Sequence, residues 1–171
     1  MDRIRAHIRD IHDFPIEGIV FKDITPVMKD PEALKVAIDG LCRPFQGENL
    51  TAVAGMEARG FIFGSLVAYQ LGVGFIPLRK PGKLPYDVKS KSYELEYGRA
   101  TLEVHADAVE PGQRILVIDD LLATGGTALA SCELLEELGA NIVSCAFMIE
   151  LEALGGRQKL GGRPVHSLLT Y

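Results

Sequence analysis

Asp119 and Asp120 stand side by side after a four-residue apolar run, Ile115-Leu116-Val117-Ile118, and Ala123-Thr124-Gly125-Gly126-Thr127 follows shortly after them. Two adjacent carboxylates can accept hydrogen bonds from the hydroxyls of a sugar. Small side chains, two hydroxyls and a pair of glycines let backbone N–H groups close on an anion, above all where a helix begins and its dipole favours negative charge. The two halves together suit a ribose 5-phosphate held across one strand-to-helix junction. A plainer reading stands beside it: an acidic pair after a strand can be a solvated loop or a helix cap, and Thr-Gly-Gly-Thr only a tight turn. The order of parts favours the site, because strand, acids, small-residue loop and helix come in the succession that a phosphosugar needs. Neither G-x-x-x-x-G-K-[ST] nor G-x-G-x-x-G occurs in the chain, so a P-loop and a dinucleotide fingerprint are both absent.

The elements that must position these residues follow from the pattern around them. The apolar run, three of its four residues β-branched, reads as a strand buried on both faces of a parallel sheet. Burying unpaired carboxylates is costly, so the strand is expected to stop at the acids, at the carboxyl edge where open α/β sheets bind ligands. A second unit of the same kind runs through Thr51–Ala54, the turn Gly55-Met56-Glu57-Ala58-Arg59-Gly60, and a helix marked by Phe63, Leu66, Val67 and Leu71. Arg59 in that turn is either an anion clamp at a helix start or a solvated surface arginine.

A third strand, Gly74–Leu78, runs directly into Arg79-Lys80-Pro81-Gly82-Lys83-Leu84-Pro85-Tyr86 and a polar stretch to Ser92. Five Lys and Arg fall in this segment of a chain whose net charge is −5, which reads as an exposed, mobile, anion-binding lid. Alternating residues on both sides of Gly98 predict a hairpin over Tyr93–His105. Further strands are expected at Asn141–Glu150 and Val165–Leu169, with a helix through Leu129, Leu134, Leu135 and Leu138 between them and the central strand. At the amino end Ile4, Ile8 and Ile11 predict one helix ending before Phe14. Gly18 to Pro26 reads as a packed surface loop in which Val20 and Phe21 fill core or form an apolar wall for a flat heterocycle. Asp30-Pro31 predicts a capped helix start, with a core stripe at Leu34, Ile38 and Leu41.

With 171 residues, 47% hydrophobic and 24% charged, the chain suits a single globular α/β domain spanning 1–171. Its negative charge argues against a nucleic-acid partner, and the absence of a long apolar segment against a membrane one. Cys42, Cys132 and Cys145 are odd in number and lack metal-ligand spacing, as do the four histidines, so a reducing, cytoplasmic setting without a protein-caged metal is expected.

Ile115 to Thr127 resembles the phosphoribosyl-pyrophosphate motif of the type I phosphoribosyltransferase family. Phe-Lys-Asp-Ile-Thr-Pro at 21–26, Arg-Lys-Pro-Gly-Lys-Leu-Pro at 79–85 and Ser-Tyr-Glu-Leu-Glu-Tyr-Gly at 92–98 are similar to its adenine-specific members over nearly the full length. The resemblance implies a central, mostly parallel twisted sheet flanked by helices, a small hood contributed by about residues 1–30 and 150–171, and a flexible β-hairpin lid. It implies transfer of ribose 5-phosphate from phosphoribosyl pyrophosphate to adenine, giving AMP and pyrophosphate with Mg²⁺, in a homodimer serving purine salvage. Another base (xanthine, hypoxanthine or orotate), or a non-catalytic regulator that binds phosphoribosyl pyrophosphate, is the alternative. By match to the family, Glu96 is the acid/base with Tyr97 beside it in the lid, and Arg59 is a catalytic cation. Asp119, Asp120, Ala123, Thr124, Gly125, Gly126, Thr127, Arg79, Lys80 and Lys83 bind phosphoribosyl pyrophosphate or AMP. Val20, Phe21, Lys22 and Leu151 contact adenine, Lys22 standing where some relatives carry Arg. Mg²⁺ is carried mainly by substrate oxygens and waters. A non-proline cis peptide is expected before Arg59, at Glu57–Ala58.

Overall fold

Branched aliphatic residues cluster in the segments that pair at the centre of the molecule, and a parallel sheet covered on both faces is where such runs bury best. A computed structural model describes residues 1–94 and 98–171, in two compact units, Met1–Gly40 and Leu41–Tyr171. In the second unit, strands β3 (Ala52–Met56), β4 (Gly74–Leu78), β7 (Arg114–Leu122), β8 (Asn141–Glu150) and β9 (Val165–Thr170) form a sheet in the order β4-β3-β7-β8-β9. Each neighbouring pair in it is parallel. Helix α4 (Arg59–Leu71) packs on β3, β4 and β7, and helix α5 (Gly126–Glu137) on β7 and β8. Every residue of β3 and the whole run Ile115–Ile118 of β7 is buried, so the middle of the sheet is dry. Cys132 of α5 and Cys145 of β8 meet there with 3.4 Å between sulfurs, and these two and Cys42 are buried free thiols.

Strand β7 does not stop at its acids. It continues through Asp119 and Asp120 to Leu122, pairing with β8 as far as Leu122↔Glu150, whereas its pairing with β3 ends at Gly55↔Ile118. On the β3 side the acids therefore lie past the end of the ladder. The expectation of a strand ending at Ile118 fails because the carboxylates find partners there, described below, so that continuing the ladder leaves neither unsatisfied.

The basic segment also carries more regular hydrogen bonding than its composition suggests. Strands β5 (Val88–Glu94) and β6 (Arg99–His105) form an antiparallel hairpin that begins at Val88, five residues before the expected start. Ahead of it, Arg79 and Glu103 exchange main-chain hydrogen bonds of 2.9 and 2.7 Å, and the Gly82 N–H donates to the Glu103 carboxylate at 2.9 Å. Residues 79–82 are thus fastened to β6, while Lys80 and Lys83 keep their side chains exposed.

The first unit departs most from its sequence reading. Helix α1 spans only Asp2–Ala6, and Arg9–His12 is a strand, β1, antiparallel to β2 (Val20–Asp23). Ile8 and Ile11 have helical spacing from Ile4, but β2 recruits this stretch into a ladder in which opposite charges face each other: Arg9 opposite Asp23 and Asp10 opposite Lys22. Both pairs close, Arg9 to Asp23 at 2.6 Å and Lys22 to Asp10 at 2.8 Å, and directly opposed charges of this kind stabilise a sheet pair. The expected surface loop over Gly18–Pro26 is accordingly strand β2 followed by helix α2 (Thr25–Lys29). Helix α3 (Pro31–Cys42) starts as its residues predict, with the Asp30 carboxylate accepting from the Ala33 N–H at 2.7 Å and Pro31 in the first turn.

Candidate functional site

Two turns leave the carboxyl edge of the sheet side by side. In the first, β3 passes through Glu57 and Ala58 into α4, and the Glu57–Ala58 peptide is cis, as expected from the resemblance. Arg59 is the first residue of α4, and its Nε donates to Asp120 at 2.5 Å. Asp120 is 5% exposed, so this guanidinium is what allows a carboxylate to sit inside the sheet layer. Asp119 faces Gly60: a Cβ on that glycine would lie 2.8 Å from Asp119 Oδ1, and the same oxygen accepts the Asp120 N–H at 2.9 Å. Burial, and then the neighbouring Asp120 charge, hold the Asp119 carboxyl well above the usual carboxylate range.

Glu57, the other charged residue of the turn, reaches toward the basic segment. It accepts from Arg79 Nε at 3.2 Å, from Arg79 Nη2 at 3.3 Å and from the Lys80 N–H at 3.1 Å. The hydrogen bond from Arg79 is the main reason that Glu57 ionises below the usual carboxylate range. Arg79 is therefore committed to anchoring the base of the basic segment, its Nη1 also donating to the Lys83 carbonyl at 3.0 Å. Lys80 and Lys83, by contrast, have no side-chain ion pair among the described residues.

The second turn, from β7 into α5, contains no charged residue between Asp120 and Glu133. Asp119, Ala123, Thr124, Gly125, Gly126 and Thr127 line a cleft of about 90 Å³. Gly125 takes a left-handed conformation, φ 79°, as the N-cap of α5, and no side chain caps this helix, which leaves the first-turn N–H groups as donors facing the loop. The loop is shaped from behind by helix α6 (Gly156–Lys159). A Cβ on Gly125 would lie 2.6 Å from the Gly156 carbonyl oxygen, and one on Gly156 would lie 2.2 Å from the Ala123 carbonyl oxygen, so only glycine fits at either place. Next to Gly156, Arg157 is bound to the buried Glu150 through Nε at 2.9 Å and Nη2 at 2.5 Å, and Ser167 donates to the same carboxylate at 2.8 Å. These donors, Arg157 foremost, keep Glu150 ionised below its ordinary range.

The structure thus brings together Arg59, Asp119, Asp120 and the loop Ala123–Thr127, with Arg79, Lys80 and Lys83 attached through Glu57. Leu151 follows directly on β8, its N–H donating to the Leu122 carbonyl at 2.9 Å beside the loop. Val20, Phe21 and Lys22 lie on β2 in the other unit, where Phe14 stacks edge-on to Phe21 at 5.2 Å and Asp10 holds Lys22. Glu96 and Tyr97 lie outside the described residues. Sequence reasoning missed the parts played by Glu57, Glu150, Gly156 and Arg157. Glu150 did carry a usable signal: like Asp119 it follows an apolar run, and a lone buried acid there requires a cation.

The Phosphoribosyl transferase domain model matches residues 33–159. The chain is 67% identical over 171 residues to the adenine phosphoribosyltransferase of Methylococcus capsulatus, covering 100% of both. Its structure is similar to that of adenine phosphoribosyltransferase from Thermoanaerobacter pseudethanolicus, with a TM-score of 0.96, 52% identity and 99% of each chain covered. It is also similar to the Saccharomyces cerevisiae enzyme complexed with an imino-altritol bisphosphate and adenine, with a TM-score of 0.93, 39% identity, and 98% and 97% of the two chains covered.

Proposed function

The chain belongs to the phosphoribosyl transferase family, and from that premise we propose that it transfers ribose 5-phosphate from phosphoribosyl pyrophosphate to N9 of adenine, forming AMP and pyrophosphate. The observation that carries this reading is the junction from β7 to α5: an acid pair on the strand, then an uncapped helix start with room only for small residues. Asp119 and Asp120 take the ribose hydroxyls, and the Ala123–Thr127 loop takes the 5-phosphate through backbone N–H groups and the hydroxyls of Thr124 and Thr127.

Departure of pyrophosphate leaves positive charge on the ribose ring and negative charge on the leaving group. Arg59, Lys80 and Lys83 meet the latter: Arg59 from the start of α4, the two lysines from a segment that Glu57 and Glu103 hold in place. Mg²⁺ supplies further charge neutralisation on the pyrophosphate. A hard cation that keeps waters and phosphate oxygens as ligands needs no dedicated cage. Glu96 handles the proton of the purine, with Tyr97 beside it. On the base side, Val20, Phe21 and Leu151 supply apolar contact, and Lys22, neutralised by Asp10, presents no free charge to an amino-bearing purine.

The protein works as a homodimer in the cytoplasm. Ile62, Leu66 and Tyr69 are 42%, 37% and 87% exposed at successive turns of α4, an apolar stripe suited to a second copy. Leu66→Asp is expected to shift size-exclusion elution to the monomer position. Three unbonded cysteines suit a reducing compartment, and no helix is long and apolar enough to cross a membrane among the described residues. The decisive assay supplies Mg²⁺, phosphoribosyl pyrophosphate and each base in turn. AMP should form fastest, and a preference for hypoxanthine, xanthine or orotate would overturn the adenine assignment.

A further inference from the structure

The hairpin and the phosphate loop touch at one point that the reaction scheme above leaves unused. Thr127 Oγ1, on the second residue of α5, donates to Tyr93 Oη at 3.2 Å. Tyr93 lies near the end of β5, with its ring packed against the buried core beneath the loop. One residue on, the main chain itself closes on the loop: a Cβ at Gly126 would lie 3.2 Å from the Glu94 carbonyl oxygen and 3.7 Å from the Tyr93 ring. Two residues back on the same face of β5, Lys91 is paired with Glu137 at 2.7 Å and with Glu133 at 3.1 Å, one helical turn apart on α5. Strand β5 is therefore fastened along α5, and its last fastening is a hydroxyl of the loop itself.

We propose that Tyr93 is a positioning residue for the 5-phosphate subsite: its phenol fixes the rotamer of Thr127 so that this hydroxyl faces the phosphate. This rests on the function proposed above. A threonine hydroxyl has three staggered orientations and one proton to donate, and a neighbouring phenol can accept or donate, so it can take the Thr127 proton or leave it to an anion. No other side chain forms a hydrogen bond with the Thr127 hydroxyl among the described residues.

The test compares Tyr93→Phe, Thr127→Val, Thr127→Ser and the Phe/Val double variant with the parent, by steady-state kinetics and product inhibition. Tyr93→Phe keeps the packed ring and is expected to raise the KM for phosphoribosyl pyrophosphate and the inhibition constant of ribose 5-phosphate about fivefold, the scale of one lost hydrogen bond. The KM for adenine and the inhibition constant of pyrophosphate, which does not use this subsite, should stay within about twofold. Thr127→Ser should retain most of the parental KM, and Phe added to Val should cost nothing more. An unchanged KM in Tyr93→Phe, multiplying effects in the double variant, or equal losses for both substrates accompanied by a lower melting temperature would each overturn the proposal. Absence of AMP formation in the parent would instead overturn the function on which it rests.

Discussion

The turn from β3 into α4 and the turn from β7 into α5 leave adjacent strands of one sheet edge, and they are held by opposite means. The first carries Glu57 and Arg59 and is tied by ion pairs, to Arg79 and to Asp120. The second carries no charge and is fixed by contact, with the backbone of Gly156 pressed against Ala123 and Gly125. Ionic support lies one layer behind, in the Arg157–Glu150 pair. A turn held by charge responds to charge, and one held by contact responds to size. The division suits a donor substrate whose pyrophosphate departs while its 5-phosphate stays bound throughout the reaction.

The comparison breaks first on size. Gly156→Ala places a methyl 2.2 Å from a carbonyl oxygen and is expected to destabilise the protein by about 3 kcal/mol, as overpacking against backbone does. Urea unfolding measures this, and a fully stable variant with normal affinity would show that the loop is not fixed by contact. Next comes charge. Arg59→Ala should lower kcat/KM about 100-fold, equivalent to about 2.7 kcal/mol. Its stability should fall too, by about 1–3 kcal/mol, because removing the half-exposed guanidinium leaves the buried Asp120 carboxylate without its partner. A large stability loss with little change in kcat/KM would reverse the roles of the two turns.

The smallest effect sharpens the comparison through pH. Glu150 has a folded-state pKa below its ordinary value, so its contribution to stability is present above that value and is lost as pH falls through the lowered one. Asp119 has the opposite sign. Its raised value means that the folded chain holds the proton where the unfolded chain has lost it, so stability declines as pH rises from 3.8 toward that raised value. Denaturation followed against pH should therefore show a flatter acid limb in Glu150→Gln, and a flatter decline on the alkaline side of 3.8 in Asp119→Asn.

The contact-held turn was legible in the sequence because everything that makes it is contiguous: apolar run, acids, small residues and helix start within Ile115–Thr127. What lay beyond reach was set by distant partners. That the strand runs on through Asp119 and Asp120 depends on Arg59, 61 residues earlier, and the tethering of Arg79 depends on Glu57, 22 residues earlier. In both cases charge at one turn was visible, but its partner was not. The amino-terminal error has the same origin. Helical spacing of Ile4, Ile8 and Ile11 is a local signal, and it lost to a ladder with Val20–Asp23 whose charge matching appears only once the register is known. Alternation marks the hairpin, but its first residues do not show in the sequence because Lys89 and Lys91 have loop composition, although Lys91 serves to tie β5 to α5.

The buried thiols bear on how this molecule can be watched at work. Cys42, Cys132 and Cys145 are all 0% exposed, and contact with Cys132 together with burial pushes the Cys145 thiol far up, away from the thiolate that alkylating reagents require. The chain is therefore expected to react with maleimides as if it had no cysteine. A single cysteine introduced at exposed Ser90 on β5 would be the one site to take a dye. Fluorescence from that position could then follow the hairpin through a catalytic cycle in an otherwise unaltered protein.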